Sequence, residues 1–229
     1  MRTAEEIVLY LKSVSDSKSL AGMQRFAIKT DHALGVSIPE LRKLAKSIGV
    51  NHCLSLDLWK TAIHEARILA GMIDDPAQVT EKQMESWVYG FDSWDICDQT
   101  CMNLFRKTQF AYAKAIEWSG REEEYVKRAG FVLPACLAVH DKQADDHKFE
   151  QFFDIIVRES TDDRNFVKKA VNWALRQIGK RNISLNTRAV EVANQIKEID
   201  SKSTKWIASD AIRELNSDSV RNRLLKKSN

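Results

Sequence analysis

A near absence of turn-forming residues constrains this chain more than any other feature. Its 229 residues include 8 Gly and 3 Pro, and no Asn-Gly or Asp-Gly step closes a β-hairpin. With 44% hydrophobic and 29% charged residues, such a sequence favours helices joined by short loops over any β architecture, so an all-α fold is expected. Thr3-Ala4-Glu5-Glu6, Ser37-Ile38-Pro39-Glu40 and Thr80-Glu81-Lys82-Gln83 read as capping boxes that open helices. Pro39 falls in a first turn, where its missing N–H costs nothing. The apolar spacing predicts helices near 3–14, 18–29, 38–48, 54–72, 81–89, 94–108, 110–118, 122–139, 147–159, 163–180, 186–199, 203–215 and 218–226. Pro134 lies inside one of them, four residues after Gly130, and predicts a kink there.

Short amphipathic helices that cannot bury their own stripes point to a stacked array. Val126-Lys127-Arg128-Ala129 recurs as Val167-Lys168-Lys169-Ala170, 41 residues later. That separation falls within the period of about 40–47 residues of HEAT and armadillo repeats. Ile63-His64-Glu65-Ala66-Arg67-Ile68-Leu69-Ala70 resembles the same unit. The expected architecture is a HEAT/armadillo-like superhelical array of stacked antiparallel helix pairs with a concave basic face, forming one domain over residues 1–229.

Several classes are disfavoured. The longest apolar run, Ala129–Val139, is too short to span a bilayer, and Met1-Arg2-Thr3-Ala4-Glu5-Glu6 lacks the apolar core of a signal peptide. A soluble cytoplasmic protein, nucleoid-associated and with no membrane partner, is expected. Cys53, Cys97, Cys101 and Cys136 form no Cys-x-x-Cys pair and read as buried, reduced residues. His32, His52, His64, His140 and His147 show no i, i+4 pair, so no metal and no cofactor is expected.

Charge is unevenly spread. Residues 1–163 hold 20 Lys and Arg against 26 Asp and Glu, whereas residues 164–229 hold 15 against 6, a balance of +9. A basic third on a mildly acidic body suggests a phosphate-binding face. Lys169, Trp173, Arg176 and Lys180 follow i, i+4, i+7, i+11 spacing, interleaving cations with an aromatic on one helix face. In Phe91-Asp92-Ser93-Trp94-Asp95-Ile96-Cys97-Asp98, Ser93 is the expected N-cap. Trp94 and Asp98 then share a face about 5–6 Å apart at Cβ, an indole beside a carboxylate, suited to stabilising a positive charge.

These residues carry a family resemblance. Gly35-Val36-Ser37-Ile38-Pro39 with Leu41 and Arg42, His64-Glu65-Ala66-Arg67, Trp94-Asp95-Ile96-Cys97-Asp98, Lys127-Arg128-Ala129, and Lys169-Ala170 through Trp173-Ala174-Leu175-Arg176 run in order along nearly the whole chain. The sequence resembles the DNA alkylation repair family, the HEAT-like-repeat DNA glycosylases of the AlkD type. The resemblance implies a monofunctional glycosylase acting on positively charged alkylated purines in double-stranded DNA, 3-alkyladenine and 7-alkylguanine. Asp98 takes the place of the catalytic carboxylate, Trp94 and Trp173 of the sugar-contacting indoles, and Arg128 of the backbone-contacting arginine. Lys127, Lys169, Arg176 and Lys180 are the further expected DNA-binding cations, and a monomer is the expected state. The family also includes members that bind DNA without excision. A silent binder of branched or distorted DNA is therefore one rival, and a protein-interaction scaffold is the other. His64 and Glu65 read as residues with a structural role between helices.

Overall fold

The computed structural model describes residues 3–228, with side chains to residue 226; Met1 and Arg2 of the hexapeptide read above lie outside the described residues. Among them every regular element is helical. The chain divides into two compact units, Met1–Gln109 and Phe110–Asn229.

The first unit holds α1 (Ala4–Ser13), α2 (Ser17–Arg25), α3 (Ile38–Ile48), α4 (His52–Lys60), α5 (His64–Ile73), α6 (Glu81–Tyr89) and α7 (Trp94–Asn103), then a 3₁₀ turn at Phe105–Lys107. The predicted caps are in place: Thr3, Ser37 and Thr80 each accept a backbone N–H three residues on. Only Thr3 is answered by a reciprocal bond, from its own N–H to Glu6 at 2.9 Å. The Glu40 carboxylate instead accepts the Tyr10 hydroxyl at 2.8 Å, and the Gln83 amide donates to Asp74 at 2.6 Å.

Three expected helices break before their expected ends. The 18–29 helix stops at Arg25 in a Schellman arrangement, with Ile28 N–H donating to Met23 O and Ala27 N–H to Gln24 O. The left-handed position, φ 56°, is held by Ala27 where glycine is the usual occupant. The expected 54–72 helix is two helices, α4 and α5, because Ala62 turns the chain at φ 58°. The expected 94–108 helix likewise ends at Asn103 and finishes as the 3₁₀ turn.

The core of this unit gathers Leu58, Leu69, Met84 and Phe105, all fully buried. Trp59 and Trp87 stack 4.1 Å apart at 4°, and Arg67 lies 5.1 Å over the Trp59 ring. Cys97, Cys101 and Cys136 are buried as expected, while Cys53 stands exposed on α4.

The second unit holds α8 (Ala111–Ser119), α9 (Glu124–His140), α10 (His147–Glu159), α11 (Asn165–Gly179), α12 (Ile183–Lys197), α13 (Lys202–Leu215) and α14 (Asp218–Ser228). Here α9 packs on α8 and α11, α11 on α13, and α12 on α13. The 41-residue correspondence has a physical basis: Val126 and Ala129 on α9, like Val167 and Ala170 on α11, are buried between neighbouring helices. Every residue of α9 from Val126 to Ala138 is buried, which explains the long apolar run. The helix continues through Pro134 to His140. Gly130 lets α8 approach closely, since a Cβ there would stand 2.3 Å from Ser119 N. No helix among the described residues is long and apolar enough to cross a membrane.

Candidate functional site

Trp94 and Asp98 sit where the spacing placed them, on the first and second turns of α7, both half-buried. The Trp94 indole N–H donates to the Phe26 carbonyl at 2.9 Å, at the end of α2. Ser93 is the N-cap residue by backbone, but its hydroxyl does not cap the helix. It donates to Asp95 Oδ1 at 2.5 Å, and the Ile96 N–H reaches the same oxygen at 3.0 Å. The other Asp95 oxygen meets His64 Nε2 at 2.8 Å.

Each member of that pair favours the other's charged form. Burial works to push the His64 imidazole down, but the Asp95 hydrogen bond and the charges of Asp95, Glu65 and Asp92 outweigh it and raise the group above its ordinary value. Burial likewise opposes the Asp95 charge, yet His64, Ser93 and the Ile96 N–H hold its carboxyl below the usual range.

A cleft of about 280 Å³ opens beside this group, lined by Met23, Gly35, His64, Ile68, Trp94 and Gln99 among others. Larger surface grooves, about 680 Å³ beside α1 and α4 and about 780 Å³ over the α9–α10 connection, carry none of the candidate residues. Among the described residues no group of three His, Cys, Asp or Glu side chains is placed to hold a metal ion.

In the second unit Arg128 is 6% exposed, and its Nη1 donates to the Phe166 carbonyl at 2.5 Å, in the first turn of α11. Lys127, one residue before it, is turned inward. Its ammonium stands 2.8 Å from Glu159 and 3.6 Å from Asp162, so its charge joins α9 to the end of α10 and the connection that follows, and is not presented to solvent. Trp173 is half-buried on α11, one helix over from Arg128. Of the cations spaced along α11, Lys169 is exposed. Arg176 and Lys180 are both bonded to Glu214 on α13, and Arg176 also lies 3.4 Å from Asp210. The periodicity that places Lys169, Trp173, Arg176 and Lys180 on one face carries no information about these acidic partners. The candidate residues thus fall into two groups: Trp94 and Asp98 in the first unit, Arg128, Trp173 and the lysines and arginine of α11 in the second.

Sequence reasoning missed Asp95 as the partner of His64. The two lie 31 residues apart, and no local pattern links them. His64 and Glu65 do have the structural role between helices that was expected of them.

A family model described as DNA alkylation repair enzyme matches residues 7–215. Among solved structures, one described as "a new family of proteins related to the HEAT-like repeat DNA glycosylases with affinity for branched DNA structures" superposes with a TM-score of 0.79 at 18% identity, over 97% of this chain and 96% of its own. A designed armadillo repeat protein in complex with the peptide (KR)4 gives a TM-score of 0.40 at 14% identity, over 82% of this chain and 80% of its own. No curated protein matches.

Proposed function

We propose, from the premise that this chain belongs to the DNA alkylation repair enzyme family, that it hydrolyses the N-glycosidic bond of positively charged alkylated purines in duplex DNA. The observation that carries the reading is the indole and carboxylate on successive turns of α7, with the indole N–H tied to the Phe26 carbonyl. An N-alkylated purine already carries the charge that makes it a leaving group, so no general acid is needed. Cleavage of the C–N bond leaves an oxocarbenium-like sugar. Asp98 stabilises that charge and holds the attacking water. The Trp94 face offers its negative quadrupole to the same cation, an interaction of about 0.5–2 kcal/mol depending on desolvation. It accelerates the reaction to the extent that it strengthens in the transition state. By the family resemblance Trp173 takes the role of the second indole and Arg128 that of the phosphate contact, with Lys169 an exposed cation on the same helix as Trp173.

A second reading is a DNA-binding protein without excision. It is supported by the fold likeness to the structure whose family is described as having affinity for branched DNA. Release of free base separates the two. Purified protein is expected to liberate 3-methyladenine and 7-methylguanine from duplexes carrying them and to leave uracil in place, since a neutral base lacks the activated bond. Binding of every duplex with no base released would select the second reading. Efficient uracil removal would refute the leaving-group argument.

A further inference from the structure

We infer that the His64-Glu65-Ala66-Arg67 segment at the start of α5 is a positioning bracket for Trp94. Its effect on catalysis rests on the glycosylase reading above, while its effect on the indole does not. Glu65 is 1% exposed, and its oxygens accept three successive backbone N–H groups. Gly35 donates at 2.7 Å, Leu34 at 2.9 Å to each oxygen, and Val36 at 3.3 Å. Successive N–H groups converge on one anion where the backbone takes a nest conformation, and Gly35 supplies its left-handed position with φ +77°. No other residue fits there, because a Cβ would stand 2.2 Å from Asp16 O. Residues 34–36 close the connection between α2 and α3, and Phe26 opens it. Glu65 therefore fixes the loop whose first carbonyl receives the Trp94 indole N–H.

The adjacent residues hold the other end of the same side chain. His64 pairs with Asp95, the residue after Trp94, and its own backbone N–H donates to His32 O in the same loop at 3.0 Å. Arg67 Nη1 donates to Gly90 O at 3.0 Å and stands 3.9 Å from Asp92, in the segment that enters α7. Trp94 is thus clamped at its backbone through His64 and Arg67, and at its indole nitrogen through Glu65 and the loop. A group that stabilises a cation by the placement of its ring face depends on such clamping: a misplacement of about 1 Å costs on the order of 100-fold in rate. Glu65, His64 and Arg67 reach the reaction only through Trp94 and its helix, so they are positioning residues.

The test uses full-length protein labelled with ¹⁵N at tryptophan, whose six indole N–H groups give separate resonances; Trp94 is assigned by its loss in Trp94→Phe. In Glu65→Gln, exchange of the Trp94 indole N–H with solvent is expected to rise on the order of tenfold, the fold-change of one net hydrogen bond. Excision at saturating DNA is expected to fall between about 10-fold and 100-fold, with duplex affinity unchanged. Placed in a Trp94→Phe background, Glu65→Gln should cost nothing further, because its route through the indole nitrogen is gone. Wild-type exchange in Glu65→Gln, or penalties that multiply as if independent, would overturn the inference. Should Glu65→Gln fail to fold, Asp95→Asn tests the backbone arm by the same exchange and excision measurements with Trp94 in place, and wild-type values in both would overturn the inference. If the wild-type protein releases no base, the glycosylase reading fails and the exchange measurement still decides the bracket.

Discussion

Replacing Glu214 by Gln will steepen the salt dependence of DNA binding. Glu214 and Asp210 on α13 face Arg176 on α11 and Lys180 at its end, and Arg213 also pairs with Asp210, two acids against three bases, so this cluster carries a net charge of +1. Burial works to raise the Glu214 carboxyl, but the Lys180 hydrogen bond and the nearby Arg176 outweigh it and leave the group below its ordinary value. Its negative charge is therefore fully present at neutral pH. Glutamine raises the cluster to +2, with Lys180 released from its acidic partner. One further cation meeting a phosphate adds about 0.9 to the slope of log affinity against log salt. Binding then falls roughly three- to fourfold more between about 50 and 200 mM salt than it does for wild type. The folded state loses no more than about 1 kcal/mol, because both partners are partly exposed and screened. Fluorescence anisotropy titrations of a labelled duplex at several salt concentrations read the slope directly. Lys180→Ala, which removes a charge already neutralised, should leave the slope nearly unchanged. The reasoning is refuted if Glu214→Gln leaves the slope unaltered, or if Lys180→Ala alone lowers it by a full unit.

Other outcomes follow from the same structure. Asp98→Asn should lower base release by at least about 10²–10³-fold, the scale of losing one transition-state electrostatic contact, while DNA affinity stays level or rises slightly; near wild-type release would remove Asp98 from the mechanism. Gly35→Ala must place a Cβ 2.2 Å from Asp16 O at φ +77°, so it should destabilise the first unit by more than about 2 kcal/mol in denaturant titrations, and a change below that scale would mean the loop relaxes freely. The His64–Asp95 pair predicts a stability window. His64 is raised above 6.5, so its contribution is complete below 6.5 and lost as pH climbs through the raised value. Asp95 is lowered below 3.8, so its contribution is complete above 3.8 and lost as pH drops through the lowered value. Urea unfolding across pH 5–9 should therefore show an alkaline decline that is absent in Asp95→Asn, and persistence of that decline in the variant would assign it to another group.

Much of the fold is legible in the sequence because helix starts are local chemistry. Thr3, Ser37 and Thr80 accept N–H groups three residues away, whatever the rest of the molecule does. Helix ends are harder to read. The breaks at Ala27 and Ala62 place alanine in a conformation that glycine normally marks, so neither gives a signal. Glu40 and Gln83 complete no capping box because Tyr10 and Asp74, 30 and 9 residues away, take their side chains. The same division holds at the site. The spacing of Trp94 and Asp98 is a property of one helix and is visible in eight residues. The acids that neutralise Arg176 and Lys180 stand on the next helix pair, and the partners of His64 and Glu65 lie about thirty residues away in either direction. What the chain does with a charge is set by contacts that no period describes.

The paired indoles of Trp59 and Trp87 have a spectroscopic consequence. Rings 4.1 Å apart and nearly parallel exchange excitation much faster than either emits, so the two act as a single chromophore. Unfolding the first unit separates them into two independent emitters. That unit therefore carries an optical signature of its own integrity, readable without any label. Of its three tryptophans, Trp94 is left as the separate emitter, placed to report whatever approaches α7.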